Sequence, residues 1–187
     1  DKQYSANSRV AGHIQKVLQL TLPAGAPDHH HEALKVLARW DLNTNVENTE
    51  AAMGVCIVSG EWLAEQAGNE APDVMSELVR CADMLNTVIG SLTPRWGDVN
   101  RHVRGPVNVA VGGGPDTLRA IYGLGLEEEG FHTNIAGDGL YYLVSWNVDG
   151  ELAVEGIHQF GSATLDESSP HYADQADFVC QHFDELY

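Results

Sequence analysis

The chain has 187 residues, 43% hydrophobic and 20% charged, which suits one sizeable globular domain or part of a larger one rather than a disordered segment. A formal net charge of -17 and an isoelectric point near 4.6 disfavour nucleic-acid backbones and anionic lipid as partners. No apolar run approaches the ~20 residues that cross a bilayer, so no membrane insertion is expected.

The chain starts DKQYSANSRVAGH, with neither an initiator Met nor the apolar core of a signal peptide, and is expected to begin inside a longer precursor or after a cut. In NSRVAGHIQKVLQLTL, Val10, Ile14, Val17 and Leu18 recur at helical spacing until Pro23 and Gly25 break the run. Asp28 is placed to cap a second helix, HHHEALKVLARW, whose Leu34, Leu37 and Trp40 share a face. TEAAMGVCIVSGEWLAEQAG also reads as helix despite its glycines. APDVMSELVRCADMLNTVIG is a clearer one, with Val74, Leu78, Cys81, Leu85 and Val88 in step.

From about Gly105 the period changes from helical to alternating. PVNVAV alternates Val107, Val109 and Val111 as a strand does. LYYLVSW is nearly continuous in β-favouring apolar residues, which predicts a strand covered on both faces. NVDG forms a turn into ELAVEGIHQF, and the two strands read as a central hairpin. In the last stretch, Ser169 and Pro170 suit the start of a helix in which Tyr172, Ala176, Val179, Phe183 and Leu186 share one face. The expected fold class is therefore α+β: a helical segment over 1–104, then a strand-rich segment with a C-terminal helix over 105–187.

Candidate chemistry is sparse. The three cysteines, Cys56, Cys81 and Cys180, form neither a zinc spacing nor a disulfide framework, although one pair could be oxidised. The run DHHH at 28–31 invites a metal reading, but neighbouring helical residues point about 100° apart and three such histidines do not converge on one ion. VAVGGGPDTLRA, between a strand and a candidate helix, lacks the order of a phosphate loop, and its Asp116 would repel phosphate. Its glycines are read as allowing a turn or a close backbone approach. Ser162, His171 and Asp174, or the same set with His158, could be assembled into a triad. No G-x-S-x-G elbow surrounds a serine, and His171 and Asp174 are three apart as a structural pair would be.

Two long stretches carry a resemblance. GSATLDESSPHYADQA, preceded by GDGLYYLVSWNVDGELAVEGIHQF, resembles the carboxy-terminal part of the β chain of the penicillin acylase family. These are N-terminal-nucleophile amidohydrolases that include acyl-homoserine-lactone and aculeacin acylases. ALKVLARWDLNTNVENTEAA and RWGDVNRHVRG…VGGGPDTLRAIYG fit the same family in the same order, so the resemblance runs from about Ala33 to Gln175.

The resemblance implies an αββα sandwich and autocatalytic cleavage into two chains. It also implies an exported enzyme that hydrolyses the amide of an N-acylated substrate of β-lactam or acyl-homoserine-lactone type. The nucleophile would be the first residue of the longer chain, usually Ser, with its own α-amine as base. Asp1 does not fit that part, so the nucleophile is expected upstream of these residues, and the chain alone is expected to be inactive. The partners implied are the upstream part of the β chain, the α chain and a small N-acylated substrate. No cofactor, metal ligand or catalytic residue is implied here; Asp138, Ser162, His171 and Asp174 are expected to support the scaffold. The chain departs from the family pattern at Gly139, where GDS is frequent, and at Ser145, where an acid often precedes the aromatic residue. The alternatives are a non-catalytic interaction module or an inactive relative.

Overall fold

The computed structural model describes residues 4–6, 8–160 and 163–179. Helices come first: α1 (Ser8–Leu18), α2 (Asp28–Arg39), α3 (Ala51–Gln66), α4 (Val74–Met84) and the short α5 (Trp96–Val99). Strands β1 (Asn100–Arg104), β2 (Val107–Ala110) and β3 (Ile121–Leu124) follow, then a single turn α6 (Leu126–Glu129). β4 (His132–Gly137), β5 (Tyr141–Trp146), β6 (Leu152–Ile157) and α7 (Asp174–Phe178) complete the order. The chain is thus mixed α/β, helical first, then stranded, with a terminal helix.

The apolar spacing sets the helical core. Val10, Ile14 and Val17 of α1, Val36 and Leu37 of α2, and Leu78 and Cys81 of α4 are all buried. They surround α3, whose residues Ala51 to Val58 are buried without interruption. A helix apolar on every side belongs in the middle of a bundle, which is where α3 lies. Its glycines are positions of close approach: a Cβ at Gly54 would come 2.3 Å from the Trp40 ring, and one at Gly60 would come 2.2 Å from the Glu77 carboxylate. Cys56 and Cys81 join α3 to α4 in a disulfide with a Cα–Cα distance of 5.9 Å.

Several expected boundaries move. Asp28 does not cap α2; it is the first helical residue, after Pro27, and no side chain caps that end. After Met84 the helix widens into a π-helical turn over Leu85–Ile89. The added residue per turn rotates Val88 out of the 4-3-4-3 series, and it is exposed. Leu18 is likewise exposed at the end of α1. The strand region opens at Asn100 rather than Gly105.

The main sheet has four strands in the order β2-β1-β4-β3. β1 pairs antiparallel with β2 and β3 antiparallel with β4, while β1 and β4 run parallel, so the strands are not all antiparallel as expected. β5 and β6 form a separate antiparallel ribbon, Tyr141 opposite Ile157 and Trp146 opposite Leu152. The expected hairpin exists, but it is not central and is not hydrogen-bonded into the four-stranded sheet. Nor does this chain cover it: Leu143, Val144, Trp146, Leu152 and Val154 are exposed. No helix follows the GGG segment; the chain runs directly into β3. The terminal helix starts at Asp174 rather than after Ser169, because residues 170–173 are in turns. Tyr172 and Val179 are nevertheless buried. Ser162, Cys180, Phe183 and Leu186 lie outside the described residues. No described helix is long and apolar enough to cross a membrane.

Candidate functional site

Four of the segments that carry the family resemblance meet in one place, apart from the β5–β6 ribbon. The link after α2, DLNTN, folds over itself through short Asx contacts: Asn43 Oδ1 accepts from Asn45 N at 2.8 Å and Asn45 Oδ1 from Glu47 N at 3.0 Å. Asn48 Oδ1 then accepts from Ala51 N at the start of α3, at 2.7 Å. Asx side chains compete for backbone donors in this way and hold turns that helix or sheet cannot.

The next motif is stitched to this turn: Trp96 N donates to Asn48 O at 2.8 Å and Gly97 N to Val46 O at 2.9 Å. The indole Nε1 of buried Trp96 donates to Gly113 O at 2.8 Å, tying RWGD to the GGG loop. Gly113 N in turn donates to Thr44 O at 2.8 Å. Gly113 has φ +101°, and a Cβ there would lie 2.2 Å from Arg119 O, so the loop closes only with glycine.

The SPHYADQ segment docks on the same assembly. Gln175, fully buried, donates from Nε2 to Tyr172 O at 2.7 Å, which leaves Oε1 to accept from His102 Nε2 at 2.8 Å. Tyr172 and Glu167 cover the β1–β2 turn, where a Cβ on Gly105 would come 2.7 Å from the tyrosine hydroxyl. Burial pushes the His102 imidazole below its ordinary value, against a smaller upward pull from Gln175. The Gln175 contact requires a proton on Nε2, since the amide oxygen can only accept.

Beside this lies a buried ion pair. Arg119, with no exposed side-chain surface, donates from Nη1 to Asp138 Oδ2 and from Nη2 to Val179 O at 2.8 Å. Its guanidinium carbon sits 5.9 Å from the centre of the Phe160 ring. Asp138 is also fixed by its own N–H, which donates to Ala120 O at 2.8 Å. Between His102, Arg104, Asn134, Phe160 and Thr164 is a cleft of about 290 Å³. Nδ1 of His102 and Oδ1 of Asn134 are enclosed there without a protein hydrogen bond.

The remaining expected residues are placed as follows. His171 Nδ1 and Asp174 Oδ2 are 3.0 Å apart, on an exposed surface. Asp138 is held by Arg119 rather than by any histidine. His158 lies just beyond β6 and is exposed. Asp116, at φ 58°, faces Arg9 at 3.7 Å instead of an open phosphate cradle. Ser145 is exposed on β5 opposite Ala153.

Sequence reasoning missed the Arg119–Asp138 pair and the His102–Gln175 contact. The only signal available was the polar character of residues set between apolar neighbours. Among the described residues, the histidines with side-chain partners meet carboxylates or an amide: His13 with Glu61, His29 and His30 with Asp83, His102 with Gln175, His171 with Asp174. None of these pairs presents a hydroxyl or thiol to attack a carbonyl, and Cys56 and Cys81 are bound to each other. The arrangement can hold a scaffold in register; among the described residues, none of these pairs sets a nucleophile beside a base.

No family model and no curated protein matches this chain.

Proposed function

We propose that this chain is the carboxy-terminal scaffold portion of the β chain of a penicillin-acylase-type amidohydrolase, with the nucleophile on a part of the protein outside these residues. The observation that carries the reading is the convergence of the resembling motifs. DLNTNVEN, RWGDVNRH, GGGPD and SPHYADQ lie far apart in sequence, yet they interlock through Trp96, Thr44, His102 and Gln175. Their polar groups are largely taken up in holding one another. That is the use expected of residues that position a neighbouring catalytic chain.

Two further features support the proposal. One face of the β5–β6 ribbon, made by Tyr142, Val144, Trp146, Leu152 and Val154, is apolar and exposed, whereas the other sets Leu143 beside Ser145 and Glu155; a strand pair with an uncovered apolar face suits an element that packs against a further layer of a sandwich. The Cys56–Cys81 disulfide suits an exported protein folding in an oxidising compartment. The same bare ribbon would serve a non-catalytic interaction module, whose chain should fold alone as a soluble, cooperative unit. A scaffold piece should instead expose strand edges and aggregate when isolated.

The deciding measurement is the intact mass and N-terminal sequence of every chain in the natural full-length protein. Two chains are expected, with these residues in the one that begins with Ser, Thr or Cys. A single chain without such a new N-terminus would overturn the acylase reading.

A further inference from the structure

The DHHH run acquires a partner that the sequence does not reveal. His29 and His30, in the first turn of α2, both direct Nε2 at the same oxygen of Asp83 on α4, at 2.6 and 2.7 Å. Their rings meet edge to face, with centroids 4.4 Å apart and planes inclined at 73°. The three ligand atoms fall within 4.8 Å of one another. His30 is buried, His29 is partly covered and Asp83 is half exposed. His31 turns away toward a neighbouring cleft, so the 100° rule excludes only the third histidine of the run.

We propose that His29, His30 and Asp83 form a binding site for a divalent first-row transition cation, in the first instance Zn²⁺, which clips the start of α2 to α4. Two imidazole nitrogens and one carboxylate oxygen are a zinc donor set that leaves a position for water. The nitrogen donors select against Ca²⁺ and Mg²⁺, which take oxygen ligands.

The geometry is close to what the ion needs. Zinc–ligand distances of about 2.0–2.1 Å in a tetrahedron place ligand atoms about 3.3 Å apart. The present contacts therefore open by about 0.6 Å, within the reach of torsions of the half-exposed Asp83 side chain and the partly covered His29 ring. Each neutral ring must carry its proton on Nδ1 so that the Nε2 lone pair faces the ion. Packing α2 on α4 would need only one such hydrogen bond. The second contact gathers two imidazole nitrogens and a carboxylate oxygen within 4.8 Å of one another, close enough to share one ion. A path to the site exists: the cleft beside it, about 540 Å³, is bordered by Asp28, His29, His31 and Glu32. The nearby cations Lys35 and Arg39 are both turned toward Glu32.

The test is calorimetric titration of ZnCl₂ into the natural full-length protein after treatment with EDTA, alongside the variants His30→Ala, Asp83→Asn and His31→Ala. The expected result is that His30→Ala and Asp83→Asn each lose one zinc per chain or weaken it at least tenfold, while His31→Ala matches the parent. Zinc should also raise the melting temperature of the parent more than that of Asp83→Asn, and excess Ca²⁺ should not displace it. Asp83→Asn keeps a hydrogen-bond acceptor for the histidines, so it reports on the metal where a larger change might disturb the fold. Unchanged stoichiometry and affinity in both His30→Ala and Asp83→Asn, or an equal loss in His31→Ala, would overturn the proposal. So would a parent protein that takes up no zinc.

Discussion

Replacing Gln175 by Leu tests the lock at the centre of the motif assembly. The two side chains have similar volume, and Gln175 has no exposed surface, so the change removes polarity with little change in packing. It leaves the His102 Nε2–H and the Tyr172 carbonyl without their partners. Each buried group orphaned in this way costs about 1–3 kcal/mol, and Leu recovers a fraction through its apolar surface. The net expectation is a loss of about 2–4 kcal/mol, which is a large share of the stability of a typical domain.

The assay is urea unfolding of the natural protein followed by circular dichroism. His171→Ala serves as the contrast, because its pairing with Asp174 is exposed and is worth less than about 1 kcal/mol. Gln175→Glu should fall between the two, keeping an acceptor for His102 but losing the donor to Tyr172. A Gln175→Leu protein within about 0.5 kcal/mol of the parent, or no more affected than His171→Ala, would refute the view that this contact holds the motifs together.

Two other measurements follow from the same geometry. The Cys56–Cys81 bridge closes a loop with a sequence separation of 25, and chain entropy assigns it about 3.5 kcal/mol; unfolding the natural protein with and without reductant should differ by roughly that amount, and coincident curves would count against it. Burial depresses the His132 imidazole from 6.5 to about 4, partly opposed by its hydrogen bond with the Gly123 backbone. Its contribution is complete above about pH 6.5, where neither state holds the proton. It is lost as pH falls toward 4, because the unfolded chain then binds a proton that the folded chain does not. The ring is partly accessible, so the loss is at most about 3 kcal/mol. His132→Gln should flatten stability against pH over that interval, and an unchanged slope would refute the assignment.

The helical half was largely legible because burial there follows a single period. Val10, Ile14, Val17, Leu34, Leu37 and Leu78 mark their faces by spacing alone, and a helix satisfies its own backbone whatever lies nearby. The pattern failed at Val88, where a π-helical turn shifts the phase without a marker in the residues. β3 and β4 were missed for a different reason. Each is short, β4 ends in exposed residues, and their register is irregular between Tyr122 and Gly123, so neither shows an alternating pattern.

The pairings that matter most lie outside any local reading. His102 meets Gln175 across 73 residues, His30 meets Asp83 across 53, and Cys56 meets Cys81 on another helix. Only the packing of α2, α3 and α4, and of β1 against the terminal segment, brings these together. DHHH taken as one helical turn excludes a shared ion; the same run packed against α4 does not.

The two ends of the fold differ in how far they are closed, and the difference bears on function. In the helical half, apolar faces meet apolar faces and polar loops are tied by their own side chains. In the β5–β6 ribbon, Leu143 and Val144 are adjacent and therefore point to opposite faces, yet both are exposed. An isolated two-stranded ribbon is marginal in water, and apolar residues on both of its faces worsen its position. The root of the ribbon, by contrast, is firmly held. The Tyr141 hydroxyl donates to Leu118 O, and Asp138, shortly before β5, is paired with buried Arg119. A rigid base carrying a bare apolar blade is poorly suited to a free surface, where the blade would add nothing but a tendency to aggregate. It is well suited to packing its apolar face against a covering layer. The proposed sandwich would supply a layer against the Val144, Trp146, Leu152 and Val154 face, while the face with Ser145 and Glu155 tolerates water.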